Sequence, residues 1–183
     1  MIDIAWRLAV VFLLVGLNGF CVAAEFGLVS VRRTRIDQLI AEGNMLARVV
    51  GRAMDDPNRF ISAAQVGITI ASLGLGWVGE PAIARLIEPA LEAVLPRQIL
   101  FVTSAGISVF LAFASITLLH LILGEQVPKM AALQRAEGTI LVTAQPIRFL
   151  SVVFRPLIAI VYWLTEIVLQ PNIDELVAVP ETP

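Results

Sequence analysis

One cysteine, one histidine and one tyrosine are spread over 183 residues. The lone thiol, Cys21, lies inside an apolar run, so neither a disulfide framework nor a thiolate zinc cluster can be assembled. The lone imidazole, His120, excludes a histidine-rich metal centre. Charge is scarce as well: Asp, Glu, Lys and Arg make up 15% of the chain, with a net charge of −2. No basic surplus is left to hold nucleic acid, and no nucleophile–base pair stands out to suggest an enzyme. What the chain does have is apolar bulk. It is 58% hydrophobic with a mean hydropathy of +0.86, far above a soluble domain, so it reads as an all-α integral membrane protein. The N-terminus has only Arg7 before its apolar run and no cleavage pattern, and reads as a retained span.

Three apolar runs are long enough to cross the roughly 20-residue hydrocarbon core. The first is residues 4–31. Asn18, Cys21 or Val22, and Glu25 share one face of it at helical spacing, and Gly16 and Gly19 permit close approach of a neighbouring helix. The second is residues 60–79, with Glu80-Pro81 as its expected end. Ser62, Gln65, Thr69, Ser72 and Gly76 form a polar-and-small stripe along it, and Gly74-Leu75-Gly76 is a point where it can unwind. The third is residues 99–125. It carries the small-residue stripe Ser104, Ser108, Ala112 and Ser115, with Thr117, His120 and Gly124 on another face leading to Glu125.

Between the first two spans, residues 34–54 read as two short amphipathic helices hinged at Gly43-Asn44. Asp56 is the expected N-cap of the next helix, with Pro57 at its first position. Residues 82–98 read as a short helix on the membrane surface. Residues 137–170 read as one or two helices in the interface, anchored by Tyr162 and Trp163. A fourth span there is the alternative. Six arginines flank the first loop, from Arg32 to Arg59, and two the second (Arg85 and Arg97). The positive-inside bias therefore places the first loop and the C-terminus in the cytoplasm and the N-terminus outside.

The element Leu123-Gly-Glu-Gln-Val-Pro-Lys129 is the strongest local signal. Pro128 has no N–H and crowds the carbonyl four residues back, that of Gly124. A freed carbonyl then sits beside the Glu125 carboxylate at an expected helix break, and a carboxylate in a span is costly unless it lines a cavity. At ~1.5 Å of rise per residue, Asn18 lies ~21 Å into its span, Thr69 ~14 Å and Ser72 ~18 Å. These three meet near mid-bilayer. Glu125, ~39 Å from the start of its span, falls at the cytoplasmic edge. Carboxylate, hydroxyl, amide and carbonyl oxygens are hard donors that suit Mg²⁺, Ca²⁺, Mn²⁺ or Na⁺ and not zinc or copper. The same Ser/Thr/Gly stripe also reads as helix packing, Asn18 as interhelical glue, and Glu25 as the partner of a loop arginine.

Four stretches in order carry a resemblance: Asn18-Gly-Phe-Cys-Val-Ala-Ala-Glu25 through Ser30 to Arg35, Gln65 through Pro81, Leu123 through Lys129, and Pro146 to Pro156. As a set they resemble the membrane domain of the CorC/CNNM family, the hemolysin-like magnesium transporters. The resemblance implies a homodimer of three-span protomers in the cell membrane, with a juxtamembrane helix on the cytoplasmic side. It implies Mg²⁺ export coupled to Na⁺ entry, the ion being held between the spans. The family's acidic residue falls on Glu125, its proline on Pro128, and its polar second-span residues on Gly67 to Ser72. The expected ligand set is then Glu125, the Gly124 carbonyl, Thr69, Ser72, Asn18 and Gly67, with Glu25, Gln65 and Ser30 as secondary candidates. Where many relatives have serine and asparagine, this chain has Val22, Thr69 and Ser72. Cytoplasmic CBS modules follow in such relatives, and residues 171–183 are expected to be a linker towards them. A non-transporting dimeric scaffold or Mg²⁺ sensor is the rival reading. A hemolysin has no physical support in so short-looped a chain.

Overall fold

The computed structural model describes residues 2–94 and 100–177, with side chains described for 4–87, Pro89 and 106–168. Among these, the chain is helical throughout. Helix α1 (Ile2–Ser30) carries the first apolar run. Helices α2 (Arg33–Ala41) and α3 (Met45–Asp55) form the loop pair. Gly43 takes φ +88°, the left-handed conformation that glycine tolerates. Asn44 then caps α3 by accepting from the Leu46 and Ala47 N–H groups. At the next junction Asp56 Oδ1 accepts from the Arg59 N–H at 3.3 Å, with Pro57 opening α4. Both junctions follow the expected cap chemistry.

Helix α4 (Pro57–Val94) is much longer than the expected 60–79. Glu80-Pro81 does not end it, and no unwinding occurs at Gly74-Leu75-Gly76. Pro81 costs the Trp77 carbonyl its donor, but a proline inside a membrane helix is tolerated where neighbouring groups re-satisfy the backbone. Leu75 is buried at 2% exposure and anchors the supposed weak point. The first part of the supposed surface helix, residues 82–94, is thus a continuation of the span, and residues 95–99 lie outside the described set.

Helix α5 (Leu100–Leu119) leads into a π-helical stretch, His120–Gln126, and then α6 (Val127–Gln134). The apolar helix therefore runs on to Gln134, instead of closing at residue 125. There is no break at Pro128. The wider π turn absorbs the missing donor, with the Val127 N–H reaching back five residues to the Ile122 carbonyl. Glu125 lies nine residues, about 14 Å at helical rise, before that end.

Helices α7 (Ala136–Val153) and α8 (Arg155–Val177) follow. Their axes diverge by 76° across Phe154. Pro156 offers no N–H to the Val152 carbonyl, which lets the chain turn there. The result is a bent pair and not one straight span. Among the described residues, three helices are long and apolar enough to cross a membrane, Ile4–Ser30, Pro57–Ile87 and Gly106–Gln134, or four if the bent pair is one broken span.

Helix α1 is the hub, packing on α4, the π turn, α6 and α7, while α4 also packs on α5. Two apolar clusters hold the bundle. The larger joins Cys21, Ala24 and Leu28 of α1 to Ile36 and Leu39 of α2, Val50 of α3, Phe60 of α4, and Ile140 and Ile147 of α7. It includes the polar loop helices, so burial there removes area from water, at about 1.5–3 kcal/mol per large aliphatic side chain. The smaller cluster is Val11, Val15, Leu75 and Ile116. Lipid is as apolar as these side chains, so close packing holds them instead. Ion pairs pin the loop helices: Arg33 to Asp55 at 2.8 Å and Asp37 at 3.2 Å, and Arg35 to Glu137 of α7 at 2.9 Å.

Candidate cation site

The site grows from the missing N–H of Pro128. The Gly124 carbonyl has no backbone donor four residues on, and α1 supplies one in its place: Asn18 Nδ2 donates to it at 2.8 Å. Asn18 is 1% exposed. Close approach is possible because Gly19 has no side chain. A Cβ there would stand 2.7 Å from Pro128 Cγ and 3.3 Å from the Leu123 carbonyl oxygen. Gly16, one turn earlier, has open space around it.

That bond sets the direction of a chain of others. A carbonyl only accepts, so the Asn18 amide must turn its NH₂ to Gly124 and its Oδ1 to α4. Ser72 Oγ then donates to Oδ1 at 3.2 Å. Its one proton is spent, so it accepts from His120 Nε2 at 3.3 Å. His120 is thereby held in the Nε2–H form, with Nδ1 left over. Three spans are joined by one directed run of polar groups.

The π turn decides what shares the cavity. Residues five apart on an α-helix point about 140° from each other. In the i→i+5 pattern they return to nearly the same side. His120 and Glu125 are five apart, and both line a cavity of about 230 Å³ with Asn18, Val22, Glu25, Phe26 and Ile68. At about 30 Å³ per water, that is room for an ion with several waters. Two carboxylates from two different spans therefore face one space. Lys129, one turn on, rests its Nζ 4.5 Å from the ring centroid of Phe26, one of the cavity's lining residues.

Of the expected ligands, Asn18, Ser72 and the Gly124 carbonyl come together in the bonded run, and Glu125 and Glu25 line the adjoining cavity. Gly67 and Thr69 are not brought to them. A Cβ on Gly67 would meet Cys21 Sγ at 2.6 Å, so this glycine is where α4 lies flat on α1. Thr69 is exposed and donates to its own helix at the Gln65 carbonyl, 2.9 Å away. The Gln65 side chain lies near the Glu25 carboxylate, and among the described residues no ion pair joins Glu25 to a loop arginine. Ser30 ends α1 five residues beyond Glu25 and is not part of the cavity wall. Ser62, first in the stripe, bonds Tyr162 of α8 at 3.0 Å. His120, which the sequence places on the face leading to Glu125, both joins the bonded run and lines the cavity. Among the described residues, no three His, Cys, Asp or Glu side chains converge as a metal-ligand group.

The family described as the Cyclin M transmembrane N-terminal domain (CNNM) matches residues 8–178. The chain belongs to the CNNM family. Similar proteins include the UPF0053 protein YhdT of Bacillus subtilis (strain 168), 43% identical over 152 residues, which are 82% of this chain and 32% of the relative. The UPF0053 protein YhdP of the same organism is 41% identical over 142 residues, 77% of this chain and 31% of the relative. The uncharacterized protein Rv1841c of Mycobacterium tuberculosis (strain ATCC 25618 / H37Rv) is 35% identical over 158 residues, 86% of this chain and 44% of the relative. The chain spans about a third of the length of the Bacillus relatives. It is a multi-pass membrane domain of the CNNM/CorC family.

Proposed function

We propose that this domain carries a divalent cation, Mg²⁺, across the cell membrane by alternating access, exporting it with Na⁺ entering as counter-ion. The observation behind this reading is the pair of carboxylates, Glu25 of α1 and Glu125 of the π turn, lining one cavity between spans. Burying two acids in apolar helices is expensive and is tolerated where they face a water-filled space or a cation. Mg²⁺ dehydrates reluctantly and usually keeps several waters, which suits the cavity volume and a sparse protein ligand set. Glu125 is the main acid and Glu25 the second. The Gly124 and Asn18 oxygens each keep a second lone pair beyond the bonds described, so both remain able to face the ion. The positive-inside count favours the N-terminus outside and the C-terminus in the cytoplasm. A homodimer fits the large apolar side chains left open on α5, including Phe110 and Phe113.

The test is flux from Mg²⁺-loaded proteoliposomes. Glu125→Gln removes the charge at constant shape and should abolish Mg²⁺ release. Unchanged release would remove Glu125 from the site. A second reading, a dimeric scaffold that senses Mg²⁺ without moving it, draws on the bonded run itself, whose donors and acceptors are already matched to one another. It predicts saturable Mg²⁺ binding with no flux in the same vesicles.

A further inference from the structure

We propose that a cleft of four arginines, where the start of α4 meets the α7–α8 elbow, binds the phosphate of an anionic lipid headgroup. Two adjoining hollows of about 280 and 360 Å³ share Asp56, Arg59 and Ser151. Arg52 and Arg148 complete the first, and Arg155 and Tyr162 the second. The charge there is unbalanced. Arg33 and Arg35 are held in ion pairs, whereas none of the four cleft arginines takes part in one among the described residues. Asp56 is the only carboxylate in the walls, and its Oδ1 is engaged as the cap of α4. The first turn of α4 adds the positive end of a long helix dipole.

Unpaired guanidiniums around a cleft are matched by a multidentate oxyanion, and phosphate suits their planar fork. The position then selects the source. Pro57 opens a membrane span, so Arg59 stands at its boundary. On the elbow, Phe149, Val152, Val153 and Leu157 are 68%, 60%, 51% and 41% exposed, interleaved with Arg148 and Arg155. A free phosphate uses the charge and leaves this apolar surface uncovered. A phospholipid uses both, its headgroup in the cleft and its acyl chains along the elbow. Basic pockets beside transmembrane helices bind acidic lipids in this way. The lipid would brace the elbow against the bundle, independently of any ion the spans carry.

The test is native mass spectrometry of the full chain in mild detergent, titrated with phosphatidylglycerol, with phosphatidylcholine as the uncharged comparison. Phosphatidylglycerol should bind at least tenfold tighter. Arg148→Gln combined with Arg155→Gln should lower its affinity by roughly 25-fold, at about fivefold per arginine. Arg32→Gln combined with Arg135→Gln, outside the cleft, should leave it within about twofold on the same scale. If the first pair does not fold by circular dichroism, Arg148→Lys against Arg148→Gln serves instead, with lysine retaining most of the binding. Equal binding of the two lipids, or an unaffected cleft variant, overturns the proposal. So does full displacement of phosphatidylglycerol by inorganic phosphate, which would mark a free-anion site. Arginine-dependent binding of a peptide of residues 171–183 without lipid preference would mark a protein-docking face and equally overturn it.

Discussion

Asn18→Asp separates a structural pin from a cation ligand. The change preserves size and shape and removes both N–H groups. An ionised carboxylate would then face the Gly124 carbonyl across the present 2.8 Å contact, and Pro128 offers no N–H four residues on to replace the lost donor. Protonating the new carboxyl restores an O–H donor. Doing so costs about 1.4 kcal/mol for each pH unit above ~3.9, or about 4 kcal/mol at neutral pH. The other route is to leave the acid ionised. That orphans a buried carbonyl at about 1–3 kcal/mol and adds several kcal/mol for the buried charge. The cheaper route limits the loss to about 4 kcal/mol at neutral pH, and the loss should shrink on acidification by up to ~1.4 kcal/mol per unit. Wild type should show no such slope from this position. The assay is equilibrium unfolding in mixed micelles from about pH 5 to 8, a range in which the unfolded chain's Asp is ionised while the buried one keeps its proton over most of the span. Tryptophan emission reports it. The reasoning fails if the variant is as stable as wild type across that range and binds Mg²⁺ more tightly. That outcome would mean that the Asn18 oxygen faces an ion and the bond to Gly124 holds nothing.

Gly19→Ala places a methyl group 2.7 Å from Pro128 Cγ and should cost about 1–3 kcal/mol by overpacking, whereas Gly16→Ala should stay within about 0.5 kcal/mol in the same unfolding assay. Glu25→Gln, which leaves Glu125 intact, should weaken Mg²⁺ binding measured by titration calorimetry without unfolding the bundle, and unchanged affinity would remove Glu25 from the cavity's chemistry. The hydrogen bond and charge of Arg35 hold the Glu137 carboxyl below the ordinary 4.5. A lowered acid contributes stability above its unfolded value and loses it as pH falls through the folded one, so the melting-temperature gap between wild type and Glu137→Gln should be present at neutral pH and close below about pH 4.5. A gap that widened in acid would contradict the pairing.

What was legible in the sequence followed from local chemistry. The three apolar runs, the Gly43-Asn44 hinge and the Asp56-Pro57 start depend on hydropathy, on a positive φ and on capping, and each is carried by neighbours in sequence. The misplaced boundaries share a different cause. Pro81 and Pro128 are both helix breakers in water, yet α4 runs through one and a π turn absorbs the other, where Asn18 of α1 supplies the Gly124 carbonyl with a donor. The polar stripe on α4 was visible as a period, but a period does not say which partner each group takes. Ser62 turns to Tyr162, Thr69 to its own backbone, Gln65 to Glu25, and only Ser72 to the run through Asn18. The face through Thr117, His120 and Gly124 leads towards Glu125 in the sequence, but only the wider winding of the π turn brings His120 and Glu125 to one cavity.

The freed carbonyl links these departures, and the link is itself open to measurement. If Pro128 is the reason Gly124 needs a donor from α1, then restoring an N–H at position 128 should make Asn18 less necessary. Pro128→Ala supplies that N–H and allows the π turn to relax towards an ordinary α turn. In its background, Asn18→Asp no longer orphans the carbonyl, so its cost should fall by about the 1–3 kcal/mol assigned to an unsatisfied buried acceptor. Residues in one hydrogen-bond network show such coupling, whereas independent sites add to within about 0.5 kcal/mol. The relaxed turn should also rotate Glu125 away from His120 and out of the cavity that Glu25 lines. The double variant should therefore be more stable than the sum of its parts predicts and yet bind Mg²⁺ more weakly than wild type. Additive stabilities would show that the proline and the asparagine act separately, and the cavity would then need another explanation for how a carboxylate is held within the span.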